Sequence, residues 1–418
     1  MYNVFMKLKR ILEIIVVVLC MIYLSYVLVS RVSKVPYKED EISWYFHTKF
    51  FDEAFINKSL FSPLWQGYES FDHPPVSKYI YGAYLYFQNR NYAQERNVLE
   101  SKYGRWNFYY VIKSDEAIAT TEFAPIISDL RKINFVFAVF ILVEVYILFY
   151  MISRSSLFSL LLCAVLSINS LFIYSVAIIT SDNQVIFFSL LAIILYFMSL
   201  KSKKWVLLVG AAIATALALG SKLTGIFILC TVTFNEILCF LYARLSYEKF
   251  VKRIGIFIFV SCFVWVIINP ALYFAPVINT VRYFEFRSFQ SANLAHFFPN
   301  IALHTPFVRI EAIVCTVLVP CNNRFTSGAI SSNILVNILL LTFGLFYCVQ
   351  EVRKKRSDII FLVLFVYFIC FVYTINLFNY SKIYYNLLQI SIFIIQVLGG
   401  LFVVKFIERK YVFTRRNE

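Results

Sequence analysis

Apolar stretches of about 17–22 residues recur along this chain, each long enough to cross roughly 30 Å of hydrocarbon as a helix. They cover residues 11–30, 133–152, 156–178, 184–200, 205–220, 224–243, 254–275, 333–350, 358–376 and 383–404. A chain crossing a bilayer must satisfy its backbone hydrogen bonds within each segment, so helices are expected rather than open sheets. Hydrophobic residues make up 60% of the sequence, above the roughly 45–50% of soluble domains. The expected class is therefore an all-α polytopic membrane protein of about ten spans, a single integral membrane domain over residues 1–418. The first span has no small-residue cleavage site and reads as an anchor rather than a removed leader.

The short loops set the orientation. Lys7, Lys9 and Arg10 precede the first span, and Lys201, Lys203 and Lys204 follow the fourth. Arg244, Lys249, Lys252 and Arg253 follow the sixth, Arg353, Lys354, Lys355 and Arg356 the eighth, and Lys405, Arg409, Lys410, Arg415 and Arg416 close the chain. All fall on one face, which is cytoplasmic by the positive-inside rule. The net charge of +15 is thus topology and attraction to anionic lipid, and its scatter over short turns argues against nucleic-acid binding. Two long outer segments remain, residues 31–132 and 276–332.

Most of the nine cysteines lie inside spans and read as small apolar residues; Cys315 and Cys321, in the second outer segment, are placed to pair in an oxidising compartment. There is no Cys/His metal spacing, P-loop or GxGxxG, which argues against an ATP-driven pump. Asn57-Lys58-Ser59 and Asn379-Tyr380-Ser381 fit the N-glycosylation pattern, a common chance match.

The first outer segment carries the distinctive chemistry. Ile42, Tyr45, Phe46, Lys49, Phe50 and Glu53 recur at helical spacing, an amphipathic helix at the membrane surface with Asp40 and Glu41 at its start. The two acids either cap that helix and complement its dipole, or present a carboxylate to a cavity at the bilayer edge. Further on, Phe71-Asp72-His73-Pro74-Pro75-Val76-Ser77-Lys78 places Asp72 and His73 in a proline-stiffened loop before another helix.

In order, these features resemble the polyprenyl-phosphate-sugar-dependent glycosyltransferases of the GT-C superfamily. The nearest branches are the dolichyl-phosphate-mannose protein mannosyltransferases and the bacterial aminoarabinose lipid A transferases. The shared pattern is a first span, an acidic pair (Asp40-Glu41), an HPP segment (His73-Pro74-Pro75, with Val76 for the usual Leu) and Arg131 at the next span. Thr180-Ser181-Asp182, Gly220-Ser221-Lys222-Leu223-Thr224-Gly225 and Asn379-Tyr380-Ser381-Lys382-Ile383-Tyr384-Tyr385 are similar to later outer turns of the family. The likeness is carried by residues 8–240, and His73 matches the mannosyltransferase version better than the aminoarabinose one.

The resemblance implies a GT-C-type bundle that moves a sugar from a polyprenyl-phosphate donor to a hydroxyl or phosphate of a protein, glycan or lipid. The site would lie at the exoplasmic face of a plasma membrane, or the lumenal face of an endoplasmic reticulum membrane. Such transfer needs a carboxylate base, with Asp40 the first choice and Glu41 and Asp72 the alternatives. It needs groups to hold the leaving phosphate: His73, Lys78, Arg131, Lys222 and Lys382, with Asp182 and Tyr384 on the substrate side. Each has a plainer reading. Lys78, Arg131, Lys222 and Lys382 are placed to snorkel at the bilayer surface, and Asp182 to cap a helix. No cofactor is implied with certainty, and a divalent metal is compatible with the pattern. The competing readings are a secondary transporter or lipid flippase, for which Asn269-Pro270 is a candidate helix break, and a non-catalytic scaffold or receptor.

Overall fold

The structure is a computed structural model that describes residues 2–88, 91–103, 122–241 and 245–297, with a few positions beyond (305, 339, 342–346 and 350). The described residues form helices joined by turns, with no strand among them. α1 (Tyr2–Val32) enters the first outer segment. That segment holds α2 (Glu39–His47), α3 (Lys49–Phe51), a π-helical turn (Asp52–Ile56), a 3-10 turn (Pro63–Gln66), α4 (Tyr68–Asp72), α5 (Pro75–Phe87) and α6 (Tyr92–Tyr103). The bundle continues with α7 (Phe123–Ser153), α8 (Ser156–Ile168), α9 (Ser170–Ala177), α10 (Asp182–Ser202), α11 (Trp205–Ser221), α12 (Ile226–Leu241) and α13 (Tyr247–Ile267). α14 (Pro276–Phe297) opens the second outer segment.

Among the described residues, five helical stretches are long and apolar enough to span a membrane: Ile11–Val32, Phe123–Ser153, Asp182–Ser202, Leu223–Leu241 and Tyr247–Ile267. Two shorter apolar helices, Ser156–Ile168 and Trp205–Ser221, accompany them. The protein is an integral membrane protein. The expected spans 358–376 and 383–404, and most of 333–350, lie outside the described residues, as do Cys315 and Cys321.

Three expected boundaries are corrected. The stretch 156–178 is two helices, because Asn169 breaks the run and its Oδ1 accepts from the Phe172 N–H to start the second (2.9 Å). The stretch 254–275 begins at Tyr247 and ends at Ile267, where Asn269-Pro270 replaces the helix with a 3-10 turn. The helix that carries the second span begins at Phe123 rather than near 133, so Arg131 is an interior helical residue.

Small side chains bring the spans together. Ala211, Ala212, Ala214, Ala216 and Ala218 are buried on α11, which packs on α10 and α13; without large side chains, backbones approach closely and dispersion does the work that water expulsion does elsewhere. At the end opposite the first outer segment, α7 and α10 close on left-handed Arg154 (φ 60) and Lys203 (φ 58), cations placed where the helix dipole favours them. Near that end Arg253 is buried within α13 rather than standing in a loop. Its Nε and Nη2 donate to the Glu236 carboxylate of α12 at 2.7–3.0 Å, and the Tyr196 hydroxyl of α10 joins at 3.0 Å. A charge in the hydrocarbon zone is tolerable only with such partners. Glu144 of α7 is buried, and neither of its carboxylate oxygens has a hydrogen-bond partner among the described residues.

The outer segment folds over the outer ends of the spans. Asp52 holds α6 down through Arg96 (2.7 Å) and the Tyr92 hydroxyl. Gly82 lets α5 cross α3, since a Cβ there would stand 2.3 Å from Phe51 Cβ and 3.1 Å from the Thr48 carbonyl. Gly82→Ala should therefore destabilise the protein by about 1–3 kcal/mol, the range for overpacking, seen as a lowered thermal midpoint in detergent. An unchanged midpoint would mean that this crossing is loose.

Candidate active site

Glu41 sits in the first turn of α2 and is fully buried. Its Oε1 accepts from Arg131 Nε (2.8 Å) and the Ile179 N–H (3.0 Å); its Oε2 accepts from Arg131 Nη2 (2.5 Å) and the Lys38 N–H (2.8 Å). Arg131 also donates to the carbonyls of Val35 (2.6 Å) and Pro36 (2.8 Å) and lies over the Tyr37 ring. A planar guanidinium meeting a carboxylate in this forked geometry gives direction as well as charge neutralisation. Glu41 is thus the clamp joining the end of α1, the start of α2, α7 and the turn before α10. Neither oxygen of Glu41 is directed to solvent, whereas the adjacent Asp40 is exposed.

The turn carrying Thr180, Ser181 and Asp182 is held from three further sides. Tyr81 Oη bonds Asn134 Oδ1 (2.7 Å) and lies 2.8 Å from the Thr180 carbonyl, while Asn134 Nδ2 donates to the Ile178 carbonyl (2.8 Å). Lys222, in the turn after α11, reaches Asp182 Oδ1 at 2.7 Å. Asp182 opens α10, and its Oδ2 is buried without a partner among the described residues. Gly220 lets the end of α11 come against α5, since a Cβ there would meet Val76 Cγ2 at 2.6 Å.

The Asp72-His73-Pro74-Pro75 segment is extended at His73 and begins α5 at Pro75, as the prolines require. Arg287 of α14 donates to Asp72 Oδ1 (2.9 Å) and the Asp72 carbonyl (3.2 Å). His73 Nε2 lies 3.8 Å from Asp72 Oδ2, and its ring tilts against Trp44 at 4.9 Å between centroids. Enclosure, and then the positive charges of Arg287, Lys222 and Lys78, push the His73 pKa well below its ordinary value. His47 is likewise lowered, by burial first and then by Lys78. Both imidazoles are neutral at pH 7.

Lys78 is tied to backbone and ring groups of the outer segment. It is buried, donates to the carbonyls of Glu69 (2.5 Å) and Ser70 (3.5 Å) at the end of α4, and stands 4.2 Å over the Phe50 ring. Burial brings its pKa down to about 7 against the opposing pull of Asp72 and Glu69. Arg131 is likewise enclosed rather than snorkelling. Lys382 and Tyr384 lie outside the described residues. Among the described residues no cluster of three or more His, Cys, Asp or Glu is arranged to hold a metal ion.

Arg287 is the residue that sequence reasoning missed. Its signal is the recurrence of Asn279, Tyr283 and Arg287 on one face of α14, where Asn279 Nδ2 bonds the Ala271 carbonyl (2.6 Å) and Tyr283 Oη bonds the Ser70 carbonyl (3.1 Å).

Two measurements check this geometry. Arg131→Met should cost about 3–5 kcal/mol by leaving Glu41 buried and unpaired, and Glu41→Leu combined with it should recover much of the loss; strictly additive losses would show that the two side chains do not interact. For pH, the unfolded chain takes up protons on His47 and His73 from about 6.5 downward while the folded chain resists. The unfolded state then binds more protons, so stability falls with pH below that value. His47→Asn with His73→Asn should flatten the slope of midpoint against pH, and an unaltered slope would place the titration elsewhere.

A model of the dolichyl-phosphate-mannose-protein mannosyltransferase family matches residues 42–283, from within α2 into the first third of α14, including Asp72, His73, Arg131, Asp182 and Lys222; Asp40, Glu41 and Arg287 lie just outside it. No curated protein matches the chain. The matched segment covers more than half of the sequence, and the chain is a member of the dolichyl-phosphate-mannose-protein mannosyltransferase family, a glycosyltransferase family of the GT-C superfamily.

Proposed function

We propose that this protein transfers a mannosyl residue from a polyprenyl-phosphate donor to a hydroxyl of a protein acceptor at the outer or lumenal face of its membrane, with inversion at the sugar C1. The acceptor hydroxyl attacks C1 while Asp40 takes its proton. The C1–O bond to phosphate breaks, and its electron pair leaves with the phosphate as polyprenyl phosphate. Asp40 suits the base role because it is exposed and its neighbour Glu41 is held on both oxygens, so the backbone that carries Asp40 is fixed. That contrast within one dipeptide is the observation that carries the reading. On this reading Glu41 is the residue that positions the base.

On the leaving-group side, Lys222 and Arg287 are the cations we assign to the phosphate. Each is held by a carboxylate, Asp182 and Asp72 respectively; the arriving phosphodiester monoanion would share those contacts, and the second negative charge that develops as polyprenyl phosphate leaves would strengthen them. Neutral His73 would donate one hydrogen bond to the same phosphate. By the family resemblance, Lys382 and Tyr384 belong on this side too. Lys78 supports the loop from beneath, through the end of α4.

Purified protein in lipid vesicles, supplied with dolichyl- or undecaprenyl-phosphate mannose and a Ser/Thr-rich peptide, should release polyprenyl phosphate and mannosylate the peptide. Glycan and lipid acceptors form the parallel arms. Asp40→Asn should lower kcat by about 10²–10⁴-fold, the usual contribution of a general base, with little change in donor KM. Full turnover by Asp40→Asn would move the base role to Asp72, and no release with any mannosyl donor would remove the reading.

A further inference from the structure

Lys78 is only 1% exposed, and its ammonium meets dipoles and a ring rather than a carboxylate of its own. The Glu69 and Ser70 carbonyls at the end of α4 accept its hydrogen bonds, and the Tyr283 hydroxyl of α14 shares the Ser70 carbonyl (3.1 Å). The neighbouring carboxylates hold other cations: Asp72 holds Arg287 (2.9 Å) and Glu69 holds Lys49 of α3. Enclosure disfavours the Lys78 proton most, Asp72 and then Glu69 favour it, and Lys49 opposes it, which brings the pKa down to about 7. The other titratable groups around it are His47, at the end of α2, and His73, just before α5. Both are held neutral, by burial first and then by nearby cations, Lys78 among them. A buried ammonium without its own carboxylate is in near-even charge balance, and an anion brought close tips it.

We propose that Lys78 is a proton-linked counter-charge for the donor phosphate: the anion arriving at Arg287, Lys222 and His73 draws one proton from solvent onto the Lys78 amine without touching it. The inference rests on the phosphate placement proposed above and deepens it. The balance is simple. A proton passes from the buffer to Lys78 Nζ as the phosphodiester monoanion enters, and no bond to the sugar is involved. The cation is then already in place when the C1–O bond breaks and the phosphate gains its second negative charge. The carbonyls at the end of α4 and the Phe50 ring hold that ammonium, so the same proton stiffens the turn that carries Asp72 and His73. Linkage is reciprocal: a ligand that raises proton affinity is bound more tightly where the proton is available. Donor affinity should therefore fall as pH rises from about 7 to about 9, a window in which both imidazoles stay neutral.

The experiment is calorimetric binding of a short-chain polyprenyl-phosphate mannose to full-length protein in detergent, without acceptor. Repeating it in two buffers of different protonation enthalpy counts the protons taken up, and the donor is a phosphodiester that does not itself titrate near neutrality. If the phosphate raises the Lys78 pKa by about one unit, uptake is about half a proton near pH 7.5, and affinity drops roughly fivefold between about pH 7 and pH 9. Lys78→Arg, which stays charged, and Lys78→Met, which never is, should each bind without that uptake and with affinity flat over the same window. Two variants allow for one that does not fold, checked by its thermal midpoint. A purely structural Lys78 would leave the proton count unchanged in the variant that folds, and that result, or no uptake by the unsubstituted protein, would overturn the inference while donor binding itself stands. Failure to bind any mannosyl donor would remove the enzymatic reading and this inference with it.

Discussion

The ion pair between Glu41 and Arg131 organises the outer half of this molecule. One carboxylate and one guanidinium, both withdrawn from water, link four pieces of chain from three remote regions of the sequence: the exit of α1 with the adjoining start of α2, α7, and the turn before α10. Two buried charges are costly to desolvate, and the cost is offset only when geometry and additional hydrogen bonds are both good. Here each oxygen has further main-chain donors and each guanidinium edge further carbonyls. The pair therefore adds little net stability over an apolar substitute but strongly selects one arrangement of these four segments. The exposed carboxylate next door inherits that rigidity.

The remaining charges follow the same logic on a wetter surface. Asp72 with Arg287 and Asp182 with Lys222 are less enclosed than Glu41 with Arg131. Asp72, Asp182 and Lys222 sit at the ends of helices and Arg287 reaches Asp72 from within α14, so on the proposed reading an incoming anion can compete for the cations without dismantling the bundle. A fully enclosed pair fixes the frame, and in the proposed mechanism two less enclosed pairs receive the phosphate. This division suits an enzyme that binds a charged lipid headgroup at a membrane edge. Histidine fits between them because enclosure and neighbouring cations keep it neutral, and a neutral ring can donate a hydrogen bond to phosphate without adding another charge to desolvate.

Much of the fold was legible because the bilayer imposes a length and a polarity on each segment. The apolar runs marked the helices, the prolines at 74 and 75 marked the start of α5, and the family resemblance pointed to a glycosyltransferase. Boundaries were less legible where a polar residue interrupts an apolar run: Asn169 divides one stretch, and the helix at 123–153 begins well before its hydropathy suggests. Composition cannot tell a helix continuing into an aqueous domain from one that ends at the membrane surface. Arg253 read as a cytoplasmic loop charge, since nothing local announces that Glu236 waits on the neighbouring helix.

The sequence by itself determined that this chain is an integral membrane protein built of helices, and it set the expectation for which face its short basic loops present and which acids and bases fall opposite them. These follow from hydropathy, charge placement and proline, all of them local properties. Only the tertiary structure decided what each charged group does: that Glu41 is enclosed while Asp40 is exposed, that Lys78 supports a helix end, and that Arg287 comes back from far along the chain to meet Asp72. Adjacent residues on a helix point about 100° apart, so two neighbouring acids can have opposite surroundings. Which of them meets a cation is set by packing between segments that no local pattern records.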